Sequence, residues 1–266
     1  MRVATFNLHA GVDGWGRPTN ALVHAGDLNA DVLVCPEMWQ GEDGTDFFAQ
    51  LSAQLAMEGV FAPLARCDRV ISNVGGPRWH PFLAHFTGQH ALYYTEARAL
   101  TSAQAKRRSS AGVIESGNWG LGFMTRLPIV SLRVEPLERL PREKVRRVLV
   151  VAQLLDHEQP FYVLALHGAH LSHGSYRQYR QINAIARTLD PELATILTGD
   201  FNCWRPLLRV LLPGWRSMVR ARTWPAPRPH SQIDHVLVRG PWIRRGGGAS
   251  NGGSDHLALW ADLELP

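Results

Sequence analysis

The 266-residue sequence has few cysteines, no long apolar run and no basic-then-apolar leader at its start. Its three cysteines, Cys35, Cys67 and Cys203, are an odd number without CxxC spacing, which argues against a disulfide framework and against a thiolate zinc site. No apolar run approaches the roughly 20 residues that a membrane helix needs. Met1-Arg2 leads directly into a strand-like segment, so a secretory signal is not predicted and a cytoplasmic location is the expectation.

Composition and charge indicate a globular protein with a basic bias. Hydrophobic residues make up 45% of the chain and charged residues 19%, which excludes wholesale disorder. The net charge of +5 favours phosphate-bearing or polyanionic partners, such as a phosphoester substrate, nucleic acid or an anionic membrane surface. A chain of this length can bury a substantial core, and we expect one domain over residues 1–266 that is monomeric.

Short apolar strands alternate with helical segments along the chain. The apolar spacing is helical from Phe47 to Leu55 and from Tyr176 to Leu189. The turn at 156–160 is short enough to require antiparallel pairing of its two strands, so two mixed sheets packed face to face fit better than one parallel sheet. The predicted strands cover residues 3–8, 31–35, 120–125, 148–154, 161–166, 194–198, 233–238 and 257–263.

Two stretches are not assigned to any regular element. Residues 65–117 contain scattered Gly, Pro, Trp and basic residues. Residues 240–253 contain two glycine-rich runs, which predict a flexible loop. Loops of this length are often functional or mobile. In residues 65–117, Arg78-Trp79 and Lys106-Arg107-Arg108 are candidates for a substrate-facing loop, and packing of Trp79 under that loop is the equal alternative.

Polar residues stand at or near the ends of the predicted strands, where a rigid sheet can hold a site in place. Taken singly, such an Asp or Asn is usually a turn former or a helix cap, and a lone His is usually a satisfied polar group. Taken together, oxygen ligands without a thiolate set indicate a hard cation, Mg²⁺ or alternatively Mn²⁺ or Ca²⁺. The residues concerned are Asn7, Glu37, His170, Asp200, Asn202, Asp234, Asp255 and His256.

The sequence blocks around these residues resemble, in the same order, the signature of the endonuclease/exonuclease/phosphatase superfamily, the deoxyribonuclease I-like phosphoesterases. The blocks are TFN near the N-terminus, an acidic residue closing the second strand, HLS, GDFN, IDH and SDH. The resemblance extends over residues 3–263 and is weakest in 65–117. It implies an α/β fold, namely a four-layer α/β/β/α sandwich with two packed mixed sheets, and Mg²⁺-dependent phosphoester hydrolysis at the top of the sheets.

The resemblance also implies a role for each residue in a reaction in which water attacks phosphorus in line with the leaving oxygen. His256 matches the general base, and Asp234 matches the carboxylate that orients its ring. Asp200 and Asn202 would position the nucleophile and the phosphate, and His170 would donate to the phosphoryl group or protonate the leaving oxygen. The implied metal ligands are Glu37, Asn7 and Asp255, and the implied phosphate contacts are Asn118, Asn202 and His170.

Two departures from the family pattern bear on the branch. Pro36 precedes Glu37 where the family usually has Gln, which puts one supporting hydrogen bond to the carboxylate in doubt. Asn7 is followed by Leu8-His9 where apurinic-site endonucleases tend to carry an acidic residue. The second departure argues against that DNA-repair branch.

The spacing of His167, His170 and His173 suggests zinc as an alternative ligand set. These histidines would have to share one helix face, whereas the preceding residues 161–166 have the pattern of a strand that enters a loop. An oxygen-ligated cation is therefore the preferred interpretation.

Three functions stay open at the level of the sequence. The first is a phosphodiesterase acting on a phospholipid head group or another small phosphoester, favoured by likeness to bacterial sphingomyelinase-like members. The second is a DNA or RNA nuclease, favoured by the basic charge. The third is an inactive module that binds nucleic acid or membrane, and the retention of all the implied catalytic residue types argues against it.

Overall fold

The structure is a computed structural model that describes residues 1–72, 92–94, 112–141, 143 and 145–266. Its helices are α1 (Ala21–Asp27), α2 (Phe47–Leu55), α3 (Tyr176–Arg187) and α4 (Arg205–Leu211), with 3-10 turns at His9–Gly11 and Leu171–His173. Its strands are β1 (Arg2–Thr5), β2 (Val32–Gly41), β3 (Glu58–Ile71), β4 (Leu92–Tyr94), β5 (Val113–Thr125), β6 (Ile129–Pro136), β7 (Val148–Asp156), β8 (Gln159–His167), β9 (Thr195–Asp200), β10 (Arg216–Ser217), β11 (Asp234–Arg239), β12 (Ile243–Asn251) and β13 (Leu257–Glu264).

The strands of the described residues form two mixed sheets that pack face to face. The first sheet has seven strands in the order β12-β13-β1-β2-β5-β3-β4, and the second has six in the order β10-β11-β9-β8-β7-β6. Helices α1 and α2 pack on the outer face of the first sheet, and α3 and α4 on the outer face of the second. The predicted α/β fold, a four-layer α/β/β/α sandwich, is confirmed.

Alternation of side chains along each strand divides the core into three apolar layers. In β5, Leu121 and Phe123 point into the layer between the sheets, whereas Met124 points outwards to the layer under α1 and α2. Tyr179 of α3 packs in the third layer, under α3 and α4. Burial of a large apolar side chain stabilises a fold by about 1.5–3 kcal/mol, so these layers account for most of the driving force for folding.

The eight strands predicted from the sequence are all present, with shifted ends, and so are the two predicted helices. Strand β6 was not predicted because it lies at the edge of its sheet and its side chains are mostly exposed, without a clean apolar alternation. Residues 65–71 and 113–117 of the unassigned stretch belong to β3 and β5. The rest of that stretch lies outside the described residues, apart from Ser72, Gly112 and β4.

The prediction of a flexible loop at 240–253 is wrong, because residues Ile243–Asn251 form β12 and pair antiparallel with β13. The glycines there permit close packing instead of flexibility. A Cβ atom at Gly246 would lie 2.6 Å from a carboxylate oxygen of Asp262, and one at Gly247 would lie 2.9 Å from Val219 Cγ2. Glycine in a strand often marks such a close approach, and the sequence pattern alone does not distinguish it from a loop.

The GDFN segment requires glycine at its first position. Gly199 has φ +139 and pairs with Leu166 of β8, and a Cβ atom there would overlap the Leu166 carbonyl oxygen. Backbone atoms of a central strand cannot move aside without breaking the pairing on which Asp200 depends.

We therefore expect Gly199→Ala to lower the free energy of unfolding by about 2–4 kcal/mol, as measured by urea denaturation. Gly44→Ala is the matched control, because Gly44 also has positive φ but a Cβ atom there would meet no atom of the described residues within 4 Å. Its loss should be about 1 kcal/mol, from backbone strain alone. Equal losses for the two variants would show that the contact with β8 is unimportant.

Candidate active site

The polar residues of the site continue rows of inward-facing side chains on several strands. On β8, Phe161, Val163 and Ala165 face the layer between the sheets, and His167 is next in that row. The same two-residue period places Asp200 at the end of β9 and Asp234 at the start of β11 on the inner side. The apolar layer between the sheets thus ends in a group of acidic and histidine side chains at one edge of the sandwich.

Glu37 occupies a β-bulge in β2. Pro36 pairs with Leu121 and Met38 with Gly120, which leaves Glu37 as the extra residue with φ +56. Left-handed backbone at a non-glycine residue is unfavourable and is found preferentially at functional sites, where a bulge can redirect a side chain. The Glu37 carboxylate that the bulge redirects accepts a hydrogen bond on each of its two oxygens.

Asn7 and Trp119 fix the Glu37 carboxylate. Asn7 Nδ2 donates to Glu37 Oε1 at 2.9 Å, and Trp119 Nε1 donates to Oε2 at 3.3 Å. Asn7 Nδ2 also donates to Asp200 Oδ2 at 3.1 Å, while its amide oxygen accepts from the His9 backbone N–H at 3.0 Å. The amide nitrogen of Asn7 therefore joins carboxylates of the two sheets. Its implied role as an oxygen ligand of the metal stays a prediction.

The turn after β9 positions Asp200 and Asn202. The backbone N–H of Asn202 donates to Asp200 Oδ1 at 2.8 Å, and Asn202 Nδ2 donates to the Gly168 carbonyl at 3.0 Å. Asn202 has φ +49, a conformation that Asn adopts more readily than most residues. The turn thus directs Asp200 Oδ2 and the Asn202 amide towards the acidic and histidine side chains of the site.

Two buried side chains from other elements support this turn from below. The Tyr179 hydroxyl of α3 donates to the Phe201 carbonyl. His235 Nε2 lies 2.9 Å from the Cys203 carbonyl oxygen, and burial lowers the pKa of His235 to about 4, so a neutral ring donates there. Neither residue was predicted as part of the site, although His235 belongs to the IDH block.

His256 and Asp234 form a buried hydrogen-bonded pair. His256 Nδ1 lies 2.8 Å from Asp234 Oδ2, and His256 Nε2 lies 3.8 Å from Asp200 Oδ2. A proton on Nδ1 that is donated to Asp234 leaves Nε2 facing the interior of the group. The structure therefore brings together Glu37, Asp200, Asp234 and His256 from four separate sequence blocks.

His167 also belongs to the site, although the sequence blocks do not predict a role for it in the reaction. Its Nε2 lies 3.6 Å from Asp200 Oδ2, 3.9 Å from Glu37 Oε1 and 3.3 Å from Asn202 Nδ2. The two-residue period of β8 was the signal that could have identified it. His170, which was chosen instead, has an exposed side chain whose ring packs 5.7 Å from the ring of His173. Among the described residues, the groups of side chains that could hold a metal ion include His167 but neither His170 nor His173.

Two more of the predicted residues, Asp255 and Asn118, lie outside this group. Asp255 is buried beside Trp224, and its Oδ1 accepts from the Ser254 hydroxyl at 3.3 Å. Asn118 points to the face of β5 opposite Trp119, near Gln40, because neighbouring residues of a strand face opposite ways. The metal-binding role of Asp255 and the phosphate-binding roles of Asn118 and His170 stay predictions.

Burial and mutual repulsion control protonation in the site. Burial, followed by the charge of Asp234, raises the pKa of Asp200 to about 7. Burial disfavours protonated His256, but the carboxylates of Asp234, Asp255 and Asp200 outweigh it and raise the pKa of His256 well above its usual value. Burial and the nearby Arg147 lower the pKa of His167, so that this ring is neutral.

The group has the chemistry of a divalent-cation site. Ligand atoms of Glu37, His167 and Asp200 lie within 4.8 Å of one another, and so do those of Asp200, Asp234 and His256. Asp234 Oδ1 is buried and makes no hydrogen bond within the described part of the chain. Several buried carboxylates without a compensating cation are unfavourable. The carboxylate oxygens of Glu37 and Asp200 and a ring nitrogen of His167 therefore fit a hard or borderline metal ion.

Comparison with known proteins agrees with this geometry. The model of the Endonuclease/Exonuclease/phosphatase family matches residues 4–256. The chain belongs to that family. The family is one of hydrolytic phosphoesterases and nucleases that typically use divalent metals, and the acidic and histidine group described above can bind one. No curated protein matches the chain significantly.

Solved structures of this family share the fold at low sequence identity. A family protein from Leptotrichia buccalis is 12% identical with a TM-score of 0.67, and 100% of each chain is covered. A mannosyl-6-phosphatase from Bacteroides thetaiotaomicron is 14% identical with a TM-score of 0.61 and the same coverage. D. rerio TDP2 complexed with single-strand DNA product is 12% identical with a TM-score of 0.60, covering 100% of this chain and 99% of that one.

The protonation of Asp200 predicts a pH-dependent response to Mg²⁺. The folded protein keeps this proton up to about pH 7, whereas an unfolded Asp loses it near pH 3.9, so the contribution of Asp200 to stability falls as the pH rises between these values. A cation compensates the ionised carboxylate. We therefore expect Mg²⁺ to raise Tm more at about pH 8 than at about pH 6, as measured by thermal denaturation.

Asp200→Asn is the control for this prediction, because an amide cannot ionise at either pH. The variant should lose most of the difference between the two Mg²⁺-induced shifts. An equal shift in Tm at both pH values in the unmodified protein would contradict the expectation.

Proposed function

We propose that this protein is a Mg²⁺-dependent phosphodiesterase that hydrolyses its substrate by in-line attack of water on phosphorus. The observation that carries the proposal is the buried Asp234–His256 pair, whose Nε2 atom faces Asp200 with Glu37 across the group. A histidine oriented by a carboxylate, beside further carboxylates that can hold a cation, supplies a base and charge neutralisation in one place.

His256 is the proposed general base. Its Nδ1–H bond to Asp234 fixes the ring orientation and leaves Nε2 to take a proton from the attacking water. Asp234 stabilises the imidazolium that results, in the way a carboxylate supports histidine in acyl transfer. The surrounding carboxylates raise the pKa of His256 and so favour its protonated form. A bound cation would neutralise part of this negative charge and would thereby favour the neutral ring that can accept a proton.

Asp200 and Asn202 are the proposed positioning groups. Asp200 lies between His167 and His256 and can orient the attacking water by accepting its hydrogen bond. The Asn202 amide, whose nitrogen lies 3.3 Å from His167 Nε2, can donate a hydrogen bond to a phosphoryl oxygen. His170, whose side chain is exposed, is the proposed donor to the phosphoryl group or the leaving oxygen. Asp255 is proposed as a further metal ligand and Asn118 as a further phosphate contact, as the family resemblance implies.

Glu37, Asp200 and His167 are the residues that would hold the cation, with Asn7 fixing two of the carboxylates. Bound there, Mg²⁺ would supply Lewis-acid polarisation of the phosphoryl group and neutralise its charge. Mn²⁺ or Ca²⁺ can occupy oxygen-rich sites of the same kind.

Mutation of the base or of the chief carboxylates tests this assignment. We expect His256→Ala, Asp200→Ala and Glu37→Ala each to lower Mg²⁺-dependent turnover of a phosphodiester by at least about 100-fold, because each removes a group that acts on the transition state. His157→Ala is the control, since the His157 side chain is 97% exposed on the turn between β7 and β8. That turn lies at the opposite end of β8 from His167. A folded variant of the three with undiminished turnover would contradict the assignment.

The substrate proposed first is a phospholipid head group or another small phosphoester. The sequence Asn7-Leu8-His9, which lacks the acidic residue of apurinic-site endonucleases, favours it over DNA repair. A nuclease is the second candidate, favoured by the net charge of +5 and by the likeness in fold to TDP2 with single-strand DNA product. The third candidate, an inactive binding module, would retain these residues without turnover.

Hydrolysis of a phosphorylcholine ester and of plasmid DNA, each with Mg²⁺, separates the candidates. We expect turnover of the ester to exceed turnover of the DNA, and chelation of the metal to abolish it. Preferential DNA cleavage would establish the nuclease instead. Metal-independent and salt-sensitive binding without turnover of either compound would establish the binding module.

A further inference from the structure

The positive charge of the protein is concentrated in one segment beside the active site. Residues 201–233, between Asp200 and Asp234, contain six arginines and no Asp or Glu. The positive charge of this segment therefore exceeds the net charge of +5 of the whole chain. Clusters of four to eight basic residues next to an apolar surface are a known basis for binding anionic lipids. The segment includes α4 and the connection from β10 to β11.

Helix α4 exposes large apolar side chains on its outer surface. Trp204, which precedes the helix, is 57% exposed and Val210 is 75% exposed, while Leu207 between them is 36% exposed. The spacing of three residues places them along one flank of the helix. Leu208, on the other side of α4, packs in the apolar layer of the sheet, so the exposed residues are surplus to the core.

Arginines border this apolar flank. Arg205, Arg209 and Arg220, together with Arg216, line a cavity of about 300 Å³ between α4 and β10. Arg205, Arg209 and Arg220 make no ion pair with a carboxylate in the described residues. Burial and the neighbouring Arg220 and Arg209 lower the pKa of Arg205, as expected where guanidinium groups face one another without counter-charges. Phosphate groups would supply those counter-charges.

Two parts of this surface, Trp204 and Arg220, lie towards the active-site end of the second sheet. Trp204 is two residues beyond Asn202 in sequence. Arg216 pairs with Val238 and Met218 bonds to Val236, so the chain towards Arg220 runs alongside β11 to the level of Asp234. Trp204 and Arg220 are therefore the residues of this surface that lie nearest to the carboxylate and histidine group.

We propose that Trp204, Arg205, Leu207, Arg209, Val210 and Arg220, here called the α4 patch, dock the protein on an anionic lipid surface. The arginines pair with lipid phosphates while the apolar side chains enter the interface, where Trp is especially favoured. Nucleic acid would use the arginines and Trp204 but would leave Leu207 and Val210 without a role. That a docked protein hydrolyses lipid head groups rests additionally on the proposed function.

Co-sedimentation with vesicles tests the docking, using the full chain in the presence of EDTA so that hydrolysis plays no part. The protein should bind vesicles of phosphatidylcholine with phosphatidylserine, and bind pure phosphatidylcholine vesicles much less. Val210→Glu and Arg209→Glu should each lower the bound-to-free ratio by about tenfold or more. Val23→Glu is the matched control, because Val23 is 60% exposed on α1, and it should bind like the unmodified protein.

Two results would overturn the docking proposal: no binding of the unmodified protein to the anionic vesicles, or undiminished binding by Val210→Glu. Undiminished binding by Val210→Glu together with loss of binding in Arg209→Glu would indicate a surface that recognises phosphate groups alone, as for nucleic acid. Mg²⁺-dependent hydrolysis of a soluble phosphodiester is measured in parallel and should be unchanged in Val210→Glu. If the unmodified protein hydrolyses that ester but does not bind vesicles, docking alone fails. If it binds vesicles but hydrolyses nothing, the proposed function alone fails.

Discussion

The amide nitrogen of Asn7 hydrogen-bonds to two carboxylates, one from each sheet, and the rest of the site is arranged around this link. Glu37 comes from a bulge in the first sheet and Asp200 from the end of a central strand of the second. Without donors between them, two buried carboxylates so close would repel each other or take up a proton. Burial and the charge of Asp234, with a smaller effect of Glu37, nevertheless raise the pKa of Asp200 to about 7. The site therefore favours a cation at the price of some stability of the metal-free fold.

The sequence predicted the architecture because the apolar strands are distinct and their order is that of a known family. The grouping of Glu37, Asp200, Asp234 and His256 was anticipated from the same blocks, and the structure brings these residues together. Strand β12 was missed because its glycines, which permit close packing against β13 and Val219, have the composition of a loop. Local composition does not reveal which backbone segments approach each other.

The assignment of histidines shows a different limit of the sequence. Both His167 and His170 follow the same predicted apolar strand, and the HLS block predicts His170 as the site residue. Only the two-residue period of β8, which runs through Val163 and Ala165 to His167, distinguishes the ring that faces the interior. The period likewise places Asn118 on the outer face of β5. Strand periodicity is thus a stronger guide to site residues than proximity to a motif, wherever the inner face of the strand is known.

The pairing of β1 with β13 connects assembly of the site to the folding process. Ser254, just before β13, donates to the Asn7 carbonyl oxygen across 247 residues of sequence, and β13 completes the first sheet beside β1. Contacts of such sequence separation form late, since the entropy of closing a long loop is lost before the contact can compensate it. Partly folded chains can thus contain most of the second sheet and yet lack the contact between Ser254 and Asn7. Activity, once measured, would report on completion of the most distant strand pairing in the molecule.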